Sequence, residues 1–205
     1  MSDLEARVGL DELESYCAFG DERVYLLLAI ARSKEHEDVT GTTEPAIREV
    51  VEDAQDLGRK IEHLDQVVSR FDSRYRLYLS ANARDTTTAF FELRERMDDW
   101  LRMRLGGNEE VLPKFKRVDS EFKSVLQSDT CKAEPNFIFD LDDVTAAEAE
   151  TFRNRLGEYT TVRMVRETPN GYHVVTESFN YTEFTAAIEY ELKTDGLVFL
   201  TYATG

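Results

Sequence analysis

The stretch Asn136-Phe137-Ile138-Phe139-Asp140-Leu141-Asp142 decides how the last third of the chain is read. Successive side chains on a strand point to opposite faces. Phe137, Phe139 and Leu141 therefore share one face, and Ile138, Asp140 and Asp142 share the other. The odd-numbered face is apolar and is expected to lie under helices. The even-numbered face carries two carboxylates about 7 Å apart along the strand. Two acids on one face are costly unless something positive satisfies them, and a hard divalent cation such as Mg²⁺ or Mn²⁺ does so. Asp140 and Asp142 are thus candidate metal ligands. The alternative is that Asp142 and Asp143 open a solvated turn before a helix capped at Thr145.

Working outward toward the C-terminus, residues 145–156 read as a helix with Ala149, Phe152 and Leu156 on its inner face. Residues 160–166 read as a strand, and Thr168-Pro169-Asn170-Gly171 is a hairpin signal. A strand over 172–176, a short helix over 181–187 and one or two closing strands over 189–202, broken at Asp195-Gly196, complete the pattern. The order is β-α-β-β-α-β, the RRM-like or ferredoxin-like arrangement. His173 lies two residues after Gly171, on a strand expected beside the Asp pair. It could meet Asp140 on an open sheet face and donate to a phosphate oxygen or orient a metal-bound group. The plainer alternative is a surface histidine. His36 and His63 read as surface residues.

Toward the N-terminus, residues 4–19 suggest a helix and 23–31 a buried strand that ends at Arg32-Ser33-Lys34. A polar loop runs to Thr43. From Ile47 onward, apolar residues at 50, 54, 57, 61, 64, 68 and 71 form a helical stripe, although 47–51 could be extended instead. Residues 75–80 alternate as a second strand, and Asn82 to Asp85 turn into a helix with Phe90, Leu93, Met97 and Trp100 on one face. Gly106-Gly107-Asn108 ends that helix. A further helix carrying Val111, Phe115, Val118, Phe122 and Val125 is expected to pack on it. The expected fold class is α+β: an N-terminal strand-and-helix extension with a helical pair over 1–130, then the RRM-like core over 131–205.

Apolar residues make up 41% of the 205-residue chain, enough for a core, and no apolar run approaches the length of a membrane span. No membrane partner is expected. Met1-Ser2-Asp3-Leu4-Glu5 has neither the charge nor the apolar stretch of a signal peptide. Cys17 and Cys131 form no CxxC pair, which fits reduced thiols in a cytoplasmic protein. The net charge is −16, with seven lysines against eighteen arginines and the acids spread evenly. Such a coat resembles a halophile's solubility device. At molar salt the Debye length is about 3 Å, so global charge does not exclude nucleic acid.

Phe137-Ile138-Phe139-Asp140-Leu141-Asp142 followed by Thr168-Pro169-Asn170-Gly171-Tyr172-His173 resembles the archaeo-eukaryotic primase superfamily. Its members carry an apolar-Asp-apolar-Asp strand and then a small-residue-x-His strand on an RRM-like catalytic core. The chain also looks like small tailed-virus proteins that pair such a module with an N-terminal Arg-x-Lys strand end (Arg32, Lys34) and a Ser-x-Asn-x-Arg turn (Ser80, Asn82, Arg84). The resemblance implies a metal-dependent nucleotidyltransferase acting on nucleotides or nucleic acid. Asp140 and Asp142 would hold Mg²⁺ or Mn²⁺, His173 would contact phosphates, and Asn170 and Gly171 would shape the turn. Arg32, Lys34 and Arg84 are candidates for phosphate or template contacts. For the third metal-binding acid, Glu189, Glu191 and Asp195 compete.

Two other readings compete. Phe139-Asp140-Leu141-Asp142-Asp143 also resembles the first motif of haloacid-dehalogenase-type phosphatases, in which the first Asp is the phosphorylated nucleophile. That family needs a larger Rossmann-like sheet, a lysine and a late acidic pair; Lys193 is the sole lysine after Asp140. The other is a non-catalytic RRM-like module that binds nucleic acid or protein.

Overall fold

A computed structural model of the chain describes residues 3–31, 46–71 and 74–203. Arg32 and Lys34 lie outside the described residues. The fold is α+β, built on two antiparallel sheets.

The first sheet grows from β1 (Arg23–Ala31), paired on one side with β2 (Ala46–Val51) and on the other with β3 (Tyr75–Ser80). A central strand covered on both faces needs an unbroken apolar run, and Val24 to Ala29 supply it. Tyr25, Leu27 and Ala29 enter one core, whereas Val24, Leu26 and Leu28 enter another. The first core is closed by α1 (Asp3–Val8), α2 (Leu10–Tyr16) and α3 (Ala54–Val68). One helix expected over 4–19 is two, broken at Gly9, whose φ of 62° is a left-handed conformation that glycine adopts without penalty. Asp53 caps α3 by accepting from the Asp56 N–H at 2.8 Å, and Leu57, Ile61, Leu64 and Val68 form its buried stripe. The ambiguity at 47–51 resolves as strand.

The second core lies under α4 (Thr86–Leu105), α5 (Leu112–Phe115) and α6 (Val118–Leu126). β4 (Arg84–Asp85) pairs with the start of β1, and Asp85 caps α4. Leu93 and Trp100 are buried as expected, but Phe90 is exposed, with Ala89 taking the inner position beside Leu93.

The second sheet contains β5 (Phe137–Asp142), β6 (Val162–Thr168), β7 (Gly171–Thr176) and β8 (Glu191–Lys193), in the order β6-β7-β5-β8, all neighbours antiparallel. An antiparallel sheet of four strands is not the larger, mostly parallel sheet of the phosphatase reading. α7 (Ala146–Leu156) covers the odd-numbered face of β5. Thr145 and Glu148 form its capping box, and Ala149, Phe152 and Leu156 are buried against Phe139 and Leu141.

Two expectations for this region need correction. The helix over 181–187 is only a 3-10 turn at Tyr181–Glu183. Phe179, Phe184, Ile188 and Tyr190 are spaced five, four and two residues apart, which gives no helical stripe. Three of these rings instead lie on Phe139: Phe179, Phe184 and Tyr190, with centroids 5.3–6.2 Å away. The closing segment also divides. β8 joins β5, whereas β9 (Leu197–Tyr202) crosses to the first sheet and pairs with β3. No helix among the described residues is long and apolar enough to cross a membrane.

Candidate functional site

The even-numbered face of β5 changes character along its length. Ile138 is buried with Met164, Val175 and the β9 residue Val198, and seals the second sheet against the first. Two residues further on the face is polar. Asp140 stands opposite His173 on β7 and opposite Glu191 on β8. Residues directly opposite in an antiparallel pair project to the same side, so a carboxylate, an imidazole and a second carboxylate meet there. Lys193, opposite Ile138, projects to that side as well.

Asp140 sits between two nitrogens. Its Oδ2 accepts from Lys193 Nζ at 2.6 Å, and its Oδ1 lies 3.4 Å from His173 Nε2. Lys193 Nζ also reaches Glu191 Oε2 at 3.0 Å. On the far side of the imidazole, the Phe199 N–H of β9 donates to His173 Nδ1 at 3.3 Å. A nitrogen that accepts carries no proton, so the ring proton is on Nε2, facing Asp140. His173 is therefore not on an open face: it is 9% exposed, and it ties the second sheet to a backbone donor of the first. His173 and then Lys193, working against partial burial, hold the Asp140 carboxyl well below the usual carboxylate range. Burial alone would lower the Lys193 pKa, but its bonds to Asp140 and Glu191 outweigh it and raise the value.

The hairpin fixes this register. Asp143, at φ 57°, donates its N–H to the Asn170 carbonyl at 2.7 Å. A Cβ on Gly171 would collide with the Leu141 carbonyl oxygen, so only glycine allows β7 to start this close to β5. From there the pairing runs Asp142 to Gly171, Leu141 to Tyr172 and Asp140 to His173.

A cleft of about 370 Å³ opens here beside β9. Asp140, Asp142, Asn170, His173 and Lys193 come from the second sheet and its hairpin. Arg76, Tyr78 and Phe199 come from the first, the two rings packed edge to face with centroids 5.8 Å apart. Asp142 is exposed. The structure thus brings Asp140, Asp142, His173 and Asn170 together, as the sequence suggested.

Ser80, Asn82 and Arg84 are placed elsewhere. They are 0%, 0% and 1% exposed; Ser80 ties two strands of the first sheet, and Asn82 and Arg84 build the joint between the sheets. Ser80 Oγ accepts from the Leu26 N–H at 3.1 Å. Asn82 accepts from the Asn136 N–H at 2.8 Å and donates to Asp195 Oδ1 at 3.0 Å. Arg84 grips Asp195 with both terminal nitrogens, at 2.8 and 2.9 Å. A buried guanidinium with a bidentate carboxylate has its strong bonds already made. Asn82 and Arg84 hold the connection from β8 to β9 through Asp195, and none of the three side chains lines the cleft.

Of the acids competing for the third ligand position, Asp195 is the partner of Arg84, and Glu189 is exposed and precedes the start of β8. Glu191 shares the Asp140 face. Among the described residues, no group of three or more His, Cys, Asp and Glu side chains is arranged to hold a metal. Asp140 and Glu191 instead hold the Lys193 ammonium between them, so as arranged these residues do not fit a divalent ion. Both cysteines are free and buried, and burial pushes the Cys17 thiol up to about 12, out of reach of thiolate chemistry.

Sequence reasoning missed Lys193 and Arg76 as cleft residues. Tyr190-Glu191-Leu192-Lys193 does alternate, with Tyr190 and Leu192 packed under α7, and that alternation could have put Glu191 and Lys193 on the polar face. Arg76 gave no such signal within a strand of six buried residues. In comparisons with known proteins, no family model, no curated protein and no solved structure matches the chain.

Proposed function

We propose that the cleft binds the phosphates of a nucleotide or of nucleic acid, on a module of the primase-polymerase type. The observation that carries this reading is the convergence of the motif residues Asp140, Asp142, Asn170 and His173 in one cleft that also contains Lys193 and Arg76. Phosphate oxygens only accept hydrogen bonds. The Lys193 ammonium from the second sheet is such a donor, the Arg76 guanidinium from the first adds positive charge to the same cleft, and charge assistance strengthens such bonds. Asp140 orients Lys193, and Phe199 orients His173. Asp142, an exposed acceptor, suits a hydroxyl or amino group of the same ligand.

Metal-dependent nucleotidyl transfer, which the resemblance implies, needs Mg²⁺ or Mn²⁺ at Asp140, where Lys193 sits. Binding without transfer is therefore the form of the reading that this geometry favours. The test is fluorescence anisotropy with a labelled ATP analogue and a labelled single-stranded oligonucleotide, in EDTA. Wild type should bind at least one probe, and Lys193→Gln should weaken it by roughly tenfold, the order of one lost charge-assisted bond. Absence of binding, or equal binding by the variant, would reject the proposal.

A further inference from the structure

We propose that Lys193 is a built-in cation that takes the place of a divalent metal ion between Asp140 and Glu191. Three observations lead there. Both carboxylates are on the polar face of the sheet, opposite each other in register. One ammonium touches both, at 2.6 and 3.0 Å. The second Asp140 oxygen lies beside His173, itself anchored by the Phe199 N–H.

A divalent ion in the same place would need several oxygen ligands around it at short range. An ammonium needs only hydrogen-bond acceptors, and it has three donors. Two are engaged by Asp140 and Glu191. The third is available to a ligand oxygen, since the Lys193 side chain is 36% exposed and lines the cleft. The arrangement neutralises facing acids that would otherwise repel, and it offers an anion a fixed positive charge that no chelator removes.

The inference rests on the proposed function only for the choice of site, not for its ligand, and a nucleotide-free Mn²⁺ titration reads it. Calorimetry on wild type in millimolar Mn²⁺ should give no saturable heat. Lys193→Gln, which keeps similar bulk without the charge, should gain saturable Mn²⁺ binding, at least about tenfold tighter than wild type. Asp140→Asn added to that variant should abolish the gain, and Lys193→Arg should behave as wild type. A folded Lys193→Gln protein that gains no Mn²⁺ binding overturns the inference, as does wild type that binds Mn²⁺ as well as the variant. Wild type supplies a check that needs no variant. Its melting temperature should be the same in EDTA and in Mn²⁺, and a rise of several degrees with Mn²⁺ would equally defeat the proposal.

Discussion

Two acid–base clusters lie a few residues apart in this molecule, made from similar groups and put to different uses. At the joint between the sheets, Asp195 is held by Arg84 and Asn82, and the Arg84 side chain is 1% exposed. In the cleft, Asp140 is held by Lys193 and His173, and Lys193 is 36% exposed. The first cluster is bidentate and closed, with both terminal nitrogens of Arg84 committed to Asp195. The second uses an ammonium with a donor left over. Arginine at the joint and lysine at the cleft follow the chemistry of each: a planar fork suits a fixed carboxylate, whereas a point charge on a mobile stem can be shared with a ligand.

The sharpest way to break the comparison is to remove the cation at the joint. Arg84→Met would leave the Asp195 carboxylate without its main partner, at a cost of about 3–5 kcal/mol. Urea unfolding should show a large drop in midpoint. A loss below about 1 kcal/mol would mean that the joint is as soft as the cleft. Gly171→Ala comes next. A methyl group forced against the Leu141 carbonyl should cost about 1–3 kcal/mol. It should also disturb the Asp140–His173 register, seen as loss of probe binding in protein that still folds.

Acid titration separates the cleft further. The Asp140 pKa is depressed in the folded protein, so its ionised form contributes stability that is complete above the unfolded value of about 3.9 and is lost as pH falls below it. Asp140→Asn lacks that contribution. Its deficit relative to wild type should be largest near neutrality and should narrow below about pH 4. A deficit that is constant from pH 7 to pH 3 would show that Asp140 acts by shape rather than charge.

Why the cleft was legible in part is clear from particular residues. Strand periodicity put Asp140 and Asp142 on one face, and the Thr168–Gly171 turn brought His173 back beside them; the pairing of Asp140 with His173 bears this out. Local rules carried β1, α3 and α7 as well, because β1 is an unbroken apolar run and the two helices have periodic stripes and capping residues. What failed was non-local. Ser80, Asn82 and Arg84 look like ligand contacts in one dimension, since polar residues after a strand usually meet solvent. They are buried because residues more than fifty positions away meet them: Leu26 at Ser80, and Asp195 and Asn136 at Arg84 and Asn82. The departure of β9 to the first sheet had no local mark beyond Asp195-Gly196, and the role of Lys193 depended on the register of β8 against β5.

The smallest effect is also the finest discriminator. Lys193→Gln removes a partly exposed ion pair, so its cost in stability should stay within about 1 kcal/mol. Screening acts on exposed charges and hardly on sealed ones. The stability gap between wild type and Lys193→Gln should therefore shrink from low to molar KCl, while the gap for Arg84→Met should hold. Both should be measured against a rising baseline, because a net charge of −16 repels itself and salt relieves that repulsion. Thermal melts of the three proteins across a KCl series supply all the numbers. If the Lys193→Gln gap holds and the Arg84→Met gap closes, the assignment of open and closed clusters is reversed. If the wild-type baseline is flat, the acidic coat is not a salt adaptation.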